Sequence, residues 1–168
     1  MIQDVEGDIL LSKAQYIAHG IAPHDHFDSG LALALRERWP SMVRDYRHAA
    51  HSRAPEVGTV WGWAGVDGEG GTRGIVNLLT QNMLGDGPNA KPGKATLENV
   101  SHCLHELVKF VQKEQVQSLA LPRLATGVGG LDWADVKPLI AKHLGGLGIP
   151  VVVYEVYRKG VTADERLG

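Results

Sequence analysis

The sequence has only one cysteine, no long apolar run and no large excess of either charge. Its one cysteine, Cys103, cannot form an internal disulfide, so we expect a reducing compartment and interpret this residue as a buried small side chain on a helix. No apolar stretch approaches the roughly 18 residues that a membrane helix needs. The opening residues 1–4 lack the basic and apolar regions of a signal peptide. We therefore expect a soluble, cytoplasmic protein without membrane contacts.

The charge pattern argues against a surface for duplex DNA. The 17 Lys and Arg and 19 Asp and Glu give a formal net charge of −2, and no block of one sign stands out. Duplex-binding proteins usually carry a basic stripe. Nucleic acid is therefore expected only as a modified, ligand-like substrate, and a monomer is favoured. With 168 residues and 43% hydrophobic content, the chain can bury the core of one domain.

Strand-like and helix-like segments alternate along the chain, which predicts an α/β fold with a largely parallel sheet. Ser41 and Asp132 are the expected N-caps of two of the helices. The expected strands are 16–19, 59–64, 75–80, 118–122 and 150–157, and the expected helices are 31–39, 41–50, 96–115 and 133–144. The remaining segments predict a turn at 67–72, a surface loop at 81–94 and a loose polar tail at 158–168.

Two loops follow predicted strands and precede predicted helices, where open α/β sheets bind ligands. The loop 127–130 is rich in glycine, so its amides could hold a diphosphate, or it could simply be a tight turn. The loop 20–30 contains His24, Asp25, His26 and Asp28. It could hold a metal ion, lie on the surface, or form the wall of a cleft in which Asp28 or His26 handles protons.

Two further segments carry side chains that suit ligand binding. Thr80, Gln81 and Asn82 end a predicted strand, where amides can hold a ribose hydroxyl or a water, or merely form a turn. Asp8 follows Gly7, and its carboxylate could accept a hydrogen bond from an exocyclic amine or could belong to a plain turn. His19 is interpreted as a strand-end core residue bonded to the backbone.

Together these segments resemble the macrodomain family, collinearly from about residue 5 to residue 157. The matching segments are Val5-Glu6-Gly7-Asp8-Ile9-Leu10, Ala18-His19-Gly20-Ile21, Ser29-Gly30-Leu31-Ala32, Leu121-Pro122-Arg123-Leu124, Thr126-Gly127-Val128-Gly129-Gly130-Leu131-Asp132-Trp133 and Val152-Val153-Tyr154. The resemblance implies a three-layer α/β/α fold with a mixed, mostly parallel sheet. It also implies a macrodomain at 1–158, with 159–168 as a polar C-terminal tail.

The same resemblance implies an ADP-ribose site without cofactor or metal. Asp8 would read the adenine amino group, the loop from Thr126 would hold the diphosphate, and Asp28, Gln81 and His26 would face the distal ribose as candidate catalytic residues. The other implied ligand-binding residues are Ile9, His19, Ala22, Ser29, Gly30, Thr80, Leu124, Gly127, Val128, Gly129, Gly130, Leu131, Tyr154 and Val156.

Within the family, the sequence is most similar to the branch of the terminal ADP-ribose protein glycohydrolase and the DNA ADP-ribosyl antitoxins. That branch typically has a lysine where this chain has Gln81, and one member has an aspartate at the position of Gly129, so a covalent lysine–sugar mechanism is not carried over. The resemblance implies an ADP-ribosyl hydrolase acting on mono-ADP-ribose on Glu or Asp, or on O-acyl-ADP-ribose. A non-catalytic reader and an ADP-ribose 1″-phosphate phosphatase are the alternatives.

Overall fold

A six-stranded sheet forms the centre of the computed structural model, which describes residues 1–66 and 72–168. Its strands are β1 (Ile2–Gly7), β2 (Tyr16–Ile21), β3 (Val60–Val66), β4 (Thr72–Leu79), β7 (Leu119–Leu121) and β8 (Val151–Tyr157). They lie in the order β1-β8-β7-β2-β4-β3, and only the β3–β4 pairing is antiparallel. The carboxyl ends of the parallel strands therefore share one edge of the sheet.

Helices cover both faces of this sheet, which confirms the expected three-layer α/β/α fold. They are α1 (Gly30–Arg38), α2 (Pro40–Ser52), α3 (Leu97–Lys113) and α4 (Trp133–Leu144). Successive residues of β2 enter different cores: Ala18 belongs to the core that includes Leu104 of α3, whereas Ile17 belongs to the core that includes Tyr46 of α2. This burial on both faces explains why the central strands read as unbroken apolar runs.

The prediction of a surface loop at 81–94 is wrong, because this segment forms a hairpin. Its strands are β5 (Gln81–Leu84) and β6 (Lys91–Ala95), which pair antiparallel outside the main sheet. Pro92 and Gly93 are poor strand formers, yet a two-stranded ladder consists only of edge strands, where proline is tolerated. A register shift between Gln81 and Met83 further blurs the alternating pattern.

Smaller differences concern helix starts and one turn. Helix α2 begins at Pro40, not after a Ser41 cap, because proline suits the first position of a helix, where its missing N–H costs nothing. Asp132 does precede α4 as expected, but its side chain makes no capping hydrogen bond. Of the turn expected at 67–72, residues 67–71 lie outside the described residues, and Thr72 begins β4.

The segment 158–168 packs along the sheet and is not the loose tail that its polarity suggested. Its Glu165 carboxylate accepts hydrogen bonds from Ser12 Oγ at 2.6 Å, Lys13 N at 2.9 Å and Tyr154 Oη at 2.8 Å. Leu167 also contacts the core on the α1–α2 face. The sequence pattern did not indicate this, because Ser12 and Lys13 lie more than a hundred residues away in the chain. A domain boundary at residue 158 stays a prediction.

Cys103 is fully buried on α3, as expected for a small packing residue. Burial raises the pKa of its thiol to about 12, and the Sγ–H group donates to the carbonyl of Thr59 at 3.6 Å. Within the described ranges, no helix combines the length and the apolarity of a membrane span.

Candidate functional site

A cleft of about 850 Å³ opens where β2, β4 and β7 end, within the usual size range of small-molecule sites. Its walls come from four segments that the fold brings to the same edge of the sheet. The first is His19 and Gly20 of β2, and the second is Asp25, His26 and residues 28–32. The third is Gln81 with residues 88–92, and the fourth is Pro122, Arg123, Ala125 and residues 127–129. The topology thus unites segments that are separated by up to about a hundred residues in the chain.

One wall of the cleft is the loop that follows β7, whose backbone shape is set by its own hydrogen bonds. Gly130 N donates to Gly127 O, and Leu131 N donates to Ala125 O, both at 3.0 Å. Among the described residues, the N–H groups of Gly127, Val128 and Gly129 have no protein acceptor. Successive unpaired amides in such a turn form a cradle for an anion.

Glycine is required at one position of this cradle. A Cβ on Gly129 would lie 2.6 Å from the carbonyl oxygen of Ala125, which itself has a left-handed φ of 62°. Gly129 O accepts a hydrogen bond from Ala95 N at 2.9 Å, so the cradle is tied to the β5–β6 hairpin. These contacts hold the three unpaired amides in place without a ligand.

Another wall of the cleft is the loop between β2 and α1, and Asp25 organises it. The Asp25 carboxylate accepts hydrogen bonds from Ala22 N and Phe27 N, both at 2.9 Å. Phe27 has a positive φ of 52° and is fully buried, packed edge-on against Tyr46. Asp25 therefore stabilises a backbone turn that contains a residue in the left-handed region.

His26 and Asp28 stand at the mouth of the cleft. His26 Nδ1 lies 3.8 Å from Asp28 Oδ2, and the two side chains are 50% and 64% exposed. Arg47 of α2 donates to the carbonyl of His26 at 3.2 Å, which braces this corner. Within residues 1–66 and 72–168, no group of three or more His, Cys, Asp and Glu side chains is arranged to hold a metal ion.

Gln81 lines the floor of the cleft and is almost fully buried. Its Nε2 donates to Gly93 O at 2.9 Å, which fastens β5 to β6. The preceding residue, Thr80, is completely buried, and its Oγ1 has no hydrogen-bond partner among the described residues. A Cβ on Gly20 would lie 2.6 Å from this hydroxyl, so glycine is required at that point of the cleft.

His19 reaches the cleft but is held as a core residue. It is 2% exposed, and its Nε2 lies 2.7 Å from Asn77 Oδ1. Burial lowers the pKa of its imidazole to about 4, although the Asn77 contact acts in the opposite direction. The ring is therefore neutral near pH 7. Its hydrogen-bond partner is the side chain of Asn77, whereas the sequence pattern predicted a backbone partner.

Asp8, which was expected at the adenine end, does not line this cleft. Asp8 is 6% exposed, with Oδ1 accepting from Leu10 N and Oδ2 accepting from Gly160 N, both at 3.0 Å. Asp8 N also donates to Val161 O at 2.7 Å. The expected ligand residues that do not line the cleft are Asp8, Ile9, Ala22, Thr80, Leu124, Thr126, Gly130, Leu131, Tyr154 and Val156.

The cleft also contains residues that the sequence pattern did not single out. Asn89 and Lys91 enter from the hairpin, and Arg123 enters from the loop after β7, with its guanidinium 5.9 Å from the ring of Trp133. Lys91 and Asn89 gave no local signal, because they belong to a segment interpreted as a surface loop. Asn89, Lys91 and Arg123 add hydrogen-bond donors to the cleft walls, and Lys91 and Arg123 also add positive charge.

An α/β/α sandwich with an amide cradle at the carboxyl edge of a mostly parallel sheet defines a class of small-ligand-binding domains. The model of the Macro domain family matches residues 24–140, and the chain belongs to this family.

The chain is also similar to named proteins at low identity. It is 27% identical over 158 residues to the DNA ADP-ribosyl glycohydrolase of Thermus aquaticus, a match that covers 92% of this chain and 41% of that protein. Among solved structures, the macrodomain of Thermus aquaticus DarG superposes with a TM-score of 0.78 at 27% identity, covering 92% of this chain and 98% of the other. Thermosipho africanus DarTG in complex with ADP-ribose has a TM-score of 0.79 at 21% identity, covering 96% and 42%. The chain spans about two fifths of the length of the curated relatives it matches.

Proposed function

We propose that this chain binds ADP-ribose in the cleft and hydrolyses an ADP-ribosyl bond. One observation carries the proposal: unpaired amides of residues 127–129 lie in the same cleft as a corner with His26 and Asp28. An amide cradle suits a diphosphate, and the titratable corner suits proton transfer. The relative from Thermus aquaticus, which is named a DNA ADP-ribosyl glycohydrolase, supports the same reaction class.

In this proposal, the diphosphate of the ligand lies on the cradle. The three amide N–H groups donate to its oxygens, and the start of α4 at Trp133 adds the positive end of a helix dipole nearby. Arg123 and Lys91 supply the remaining positive charge. Binding of this kind needs no metal or cofactor.

The adenine base is the part of the ligand that the structure accommodates least readily, because Asp8 already accepts two backbone hydrogen bonds. An amino group could share Oδ2 with Gly160 N or displace the segment around Gly160. Tyr154 and Val156 would flank the base in either case. We assign the adenine to this end of the molecule, and we expect Asp8 to contribute little selectivity because its carboxylate is already engaged.

The distal ribose would extend from the cradle toward the corner of His26 and Asp28. In the hydrolytic step a water attacks C1″, its proton passes to the Asp28 carboxylate, and the bond from C1″ to the leaving group breaks. The leaving group departs with the bonding electron pair. Gln81 Oε1 orients the water or a ribose hydroxyl, since its Nε2 is held by Gly93 O. General base help of this kind contributes roughly 10²- to 10⁴-fold in rate.

Two kinds of ADP-ribosyl linkage are candidate substrates, and a separate argument supports each. An ester from C1″ to Glu or Asp is chemically the easiest to cleave at C1″, because a carboxylate is a good leaving group. An O-acyl ester would instead need the water to attack its acyl carbon. A linkage to a DNA base is supported by the name of the Thermus aquaticus relative. The two differ in what lies beyond C1″, so they can be separated by substrate.

The proposal is tested with purified protein and four substrates: Glu-linked, Ser-linked and DNA-base-linked ADP-ribose, and ADP-ribose 1″-phosphate. We expect release of ADP-ribose from at least one of the first three. Release of phosphate from the fourth alone would identify a phosphatase. Intact binding of ADP-ribose with no product from any substrate would identify a reader and overturn the hydrolase assignment.

The role of Asp28 is tested by Asp28→Ala, with Asp164→Ala as the control, because Asp164 is exposed and lies outside the cleft. We expect Asp28→Ala to lower kcat by about 100-fold, within the range of general base catalysis, while the Kd for ADP-ribose changes less than about twofold. Full activity in Asp28→Ala would remove Asp28 from the mechanism.

A further inference from the structure

Residues 158–168, which follow β8, run back over the carboxyl end of β1, and we call this segment the strap. Arg158 N donates to Gly7 O at 3.0 Å, and Asp8 N donates to Val161 O at 2.7 Å. The fit is close, because a Cβ on Gly7 would lie 2.9 Å from Ala163 N. The strap therefore lies against the end of β1 to which the proposed function assigns the adenine base.

The strap engages the carboxylate that the proposed function places beside the base. Gly160 N donates to Asp8 Oδ2 at 3.0 Å, while Leu10 N donates to Oδ1. A turn closed by Val161 N, which donates to Arg158 O at 3.1 Å, presents the Gly160 N–H. An exocyclic amine would donate to the same oxygen, and Asp8 is only 6% exposed. The strap must therefore move before a base can use Asp8.

The far end of the strap holds a second residue that the proposed function places beside the base. The Glu165 carboxylate accepts hydrogen bonds from Tyr154 Oη at 2.8 Å and Ser12 Oγ at 2.6 Å. Arg166 N donates to Gln3 Oε1 at 2.8 Å, which fixes this part of the strap beside β1. The strap thus engages both Asp8 and Tyr154.

The strap is attached in a way that allows it to open while the sheet stays folded. Residues 158–168 form neither helix nor strand, and most of them are exposed. Ala163 and Leu167 pack against the core beside α1 and α2, and both are only partly buried. A segment with few buried apolar contacts and with exposed hydrogen bonds opens at a lower free-energy cost than the core.

We propose that the strap is an autoinhibitory contact that sets the base selectivity of the site. While Gly160 N occupies Asp8, adenine and other bases bind alike, and release of the strap frees Asp8 to select adenine. The inference rests on the proposed function for the position of the nucleotide. In the open state the adenine amino group donates to Asp8 Oδ2, whereas hypoxanthine has a carbonyl oxygen at that position of the ring. The closed state lowers affinity, because only the open fraction of the molecules makes this contact.

The test loosens the turn at Gly160 and makes the same change elsewhere as a control. Gly160 and Gly148 both have a φ of 75°, and a Cβ on either would meet no heavy atom within 4 Å. Gly160→Val and Gly148→Val therefore introduce the same backbone strain, but Gly148 lies in the α4–β8 connection, outside the strap. Hydrogen exchange of the Asp8 amide reports opening, because that N–H is bonded to Val161 O.

Binding is measured by calorimetry with ADP-ribose and with its hypoxanthine analogue. In the wild-type protein we expect the two Kd values to agree within about threefold, because Asp8 is occupied. Gly160→Val should speed exchange of the Asp8 amide, bind ADP-ribose at least about fivefold more tightly, and prefer adenine by at least about tenfold. Gly148→Val should match the wild type in all three measurements.

A second variant opens the strap from its other end. Glu165→Ala removes the acceptor of Tyr154 Oη and Ser12 Oγ, so it should shift exchange and selectivity in the same direction as Gly160→Val. Asp164→Ala is its control, because Asp164 is the exposed neighbour of Glu165 in the strap.

Two outcomes would overturn the inference. Faster exchange of the Asp8 amide without a rise in the preference for adenine would mean that the strap does not compete with the base. Unchanged exchange in both Gly160→Val and Glu165→Ala would mean that the strap is a fixed part of the fold. Failure of the wild-type protein and of both variants to bind ADP-ribose is a different result, because it refutes the proposed function itself.

Discussion

Substituting Gly127 tests the amide cradle directly. A Cβ at Gly127 meets no heavy atom within 4 Å, and this residue has no positive φ, so Gly127→Val should fold normally. Yet Gly127 lines the cleft beside the unpaired amides, so the added isopropyl group would compete with a diphosphate for the same space. The change should therefore affect binding without affecting stability.

The size of the effect follows from the hydrogen bonds at risk. A hydrogen bond to a charged group is worth about 1.5–3 kcal/mol, and about 1.4 kcal/mol corresponds to a tenfold change in Kd. Losing one amide–phosphate contact should therefore raise the Kd for ADP-ribose about 10- to 100-fold. Isothermal titration calorimetry measures this directly, and thermal unfolding of the same sample reports stability.

The matched control is Gly146→Val. A Cβ at Gly146 would also meet no heavy atom within 4 Å, and its φ is not positive, but Gly146 lies in the α4–β8 connection, outside the cleft. This variant should bind ADP-ribose within about twofold of wild type. If Gly127→Val keeps the wild-type Tm and also binds ADP-ribose within about twofold, the diphosphate does not lie on these amides and the reasoning is refuted.

Three further predictions concern His19, Asp8 and Glu165. The pKa of His19 is lowered to about 4, so the stability from its neutral ring is present above the unfolded pKa and is lost as the pH falls from about 6.5 to 4. Urea unfolding should show a decline of up to about 3 kcal/mol that His19→Gln reduces and His48→Gln does not. Because Asp8 already accepts two backbone hydrogen bonds, ADP-ribose and its hypoxanthine analogue should bind within about threefold, and a tenfold preference for adenine would contradict this. Glu165→Ala leaves two buried hydroxyls without their acceptor, so it should cost about 2–4 kcal/mol and lower Tm by about 5–15 °C, whereas Asp164→Ala should not.

The amino-acid pattern predicted the parts of the fold that depend on local chemistry. The apolar run at 118–122 and the helical periodicity after Thr96 correspond to β7 and α3. The hairpin at β5–β6 was missed, because Pro92 and Gly93 mimic a loop. The packed segment around Glu165 was missed as well, because its partners are distant in the chain.

For the candidate site, the sequence alone placed the glycine loop and the corner of His26 and Asp28 on strand-to-helix connections. It could do so because the backbone freedom of glycine and the order of elements along the chain are local properties. Only the tertiary structure decided which N–H groups remain unpaired, that Asp25 is used within its own loop, and that Asp8 is covered by Gly160 and Val161. It also opened a second cavity, of about 650 Å³, between α2 and the hairpin that lies some thirty residues further along the chain. Which polar groups find a hydrogen-bond partner, and which residues line a cavity, depend on which distant segments come into contact. The order of residues in the sequence does not specify those contacts.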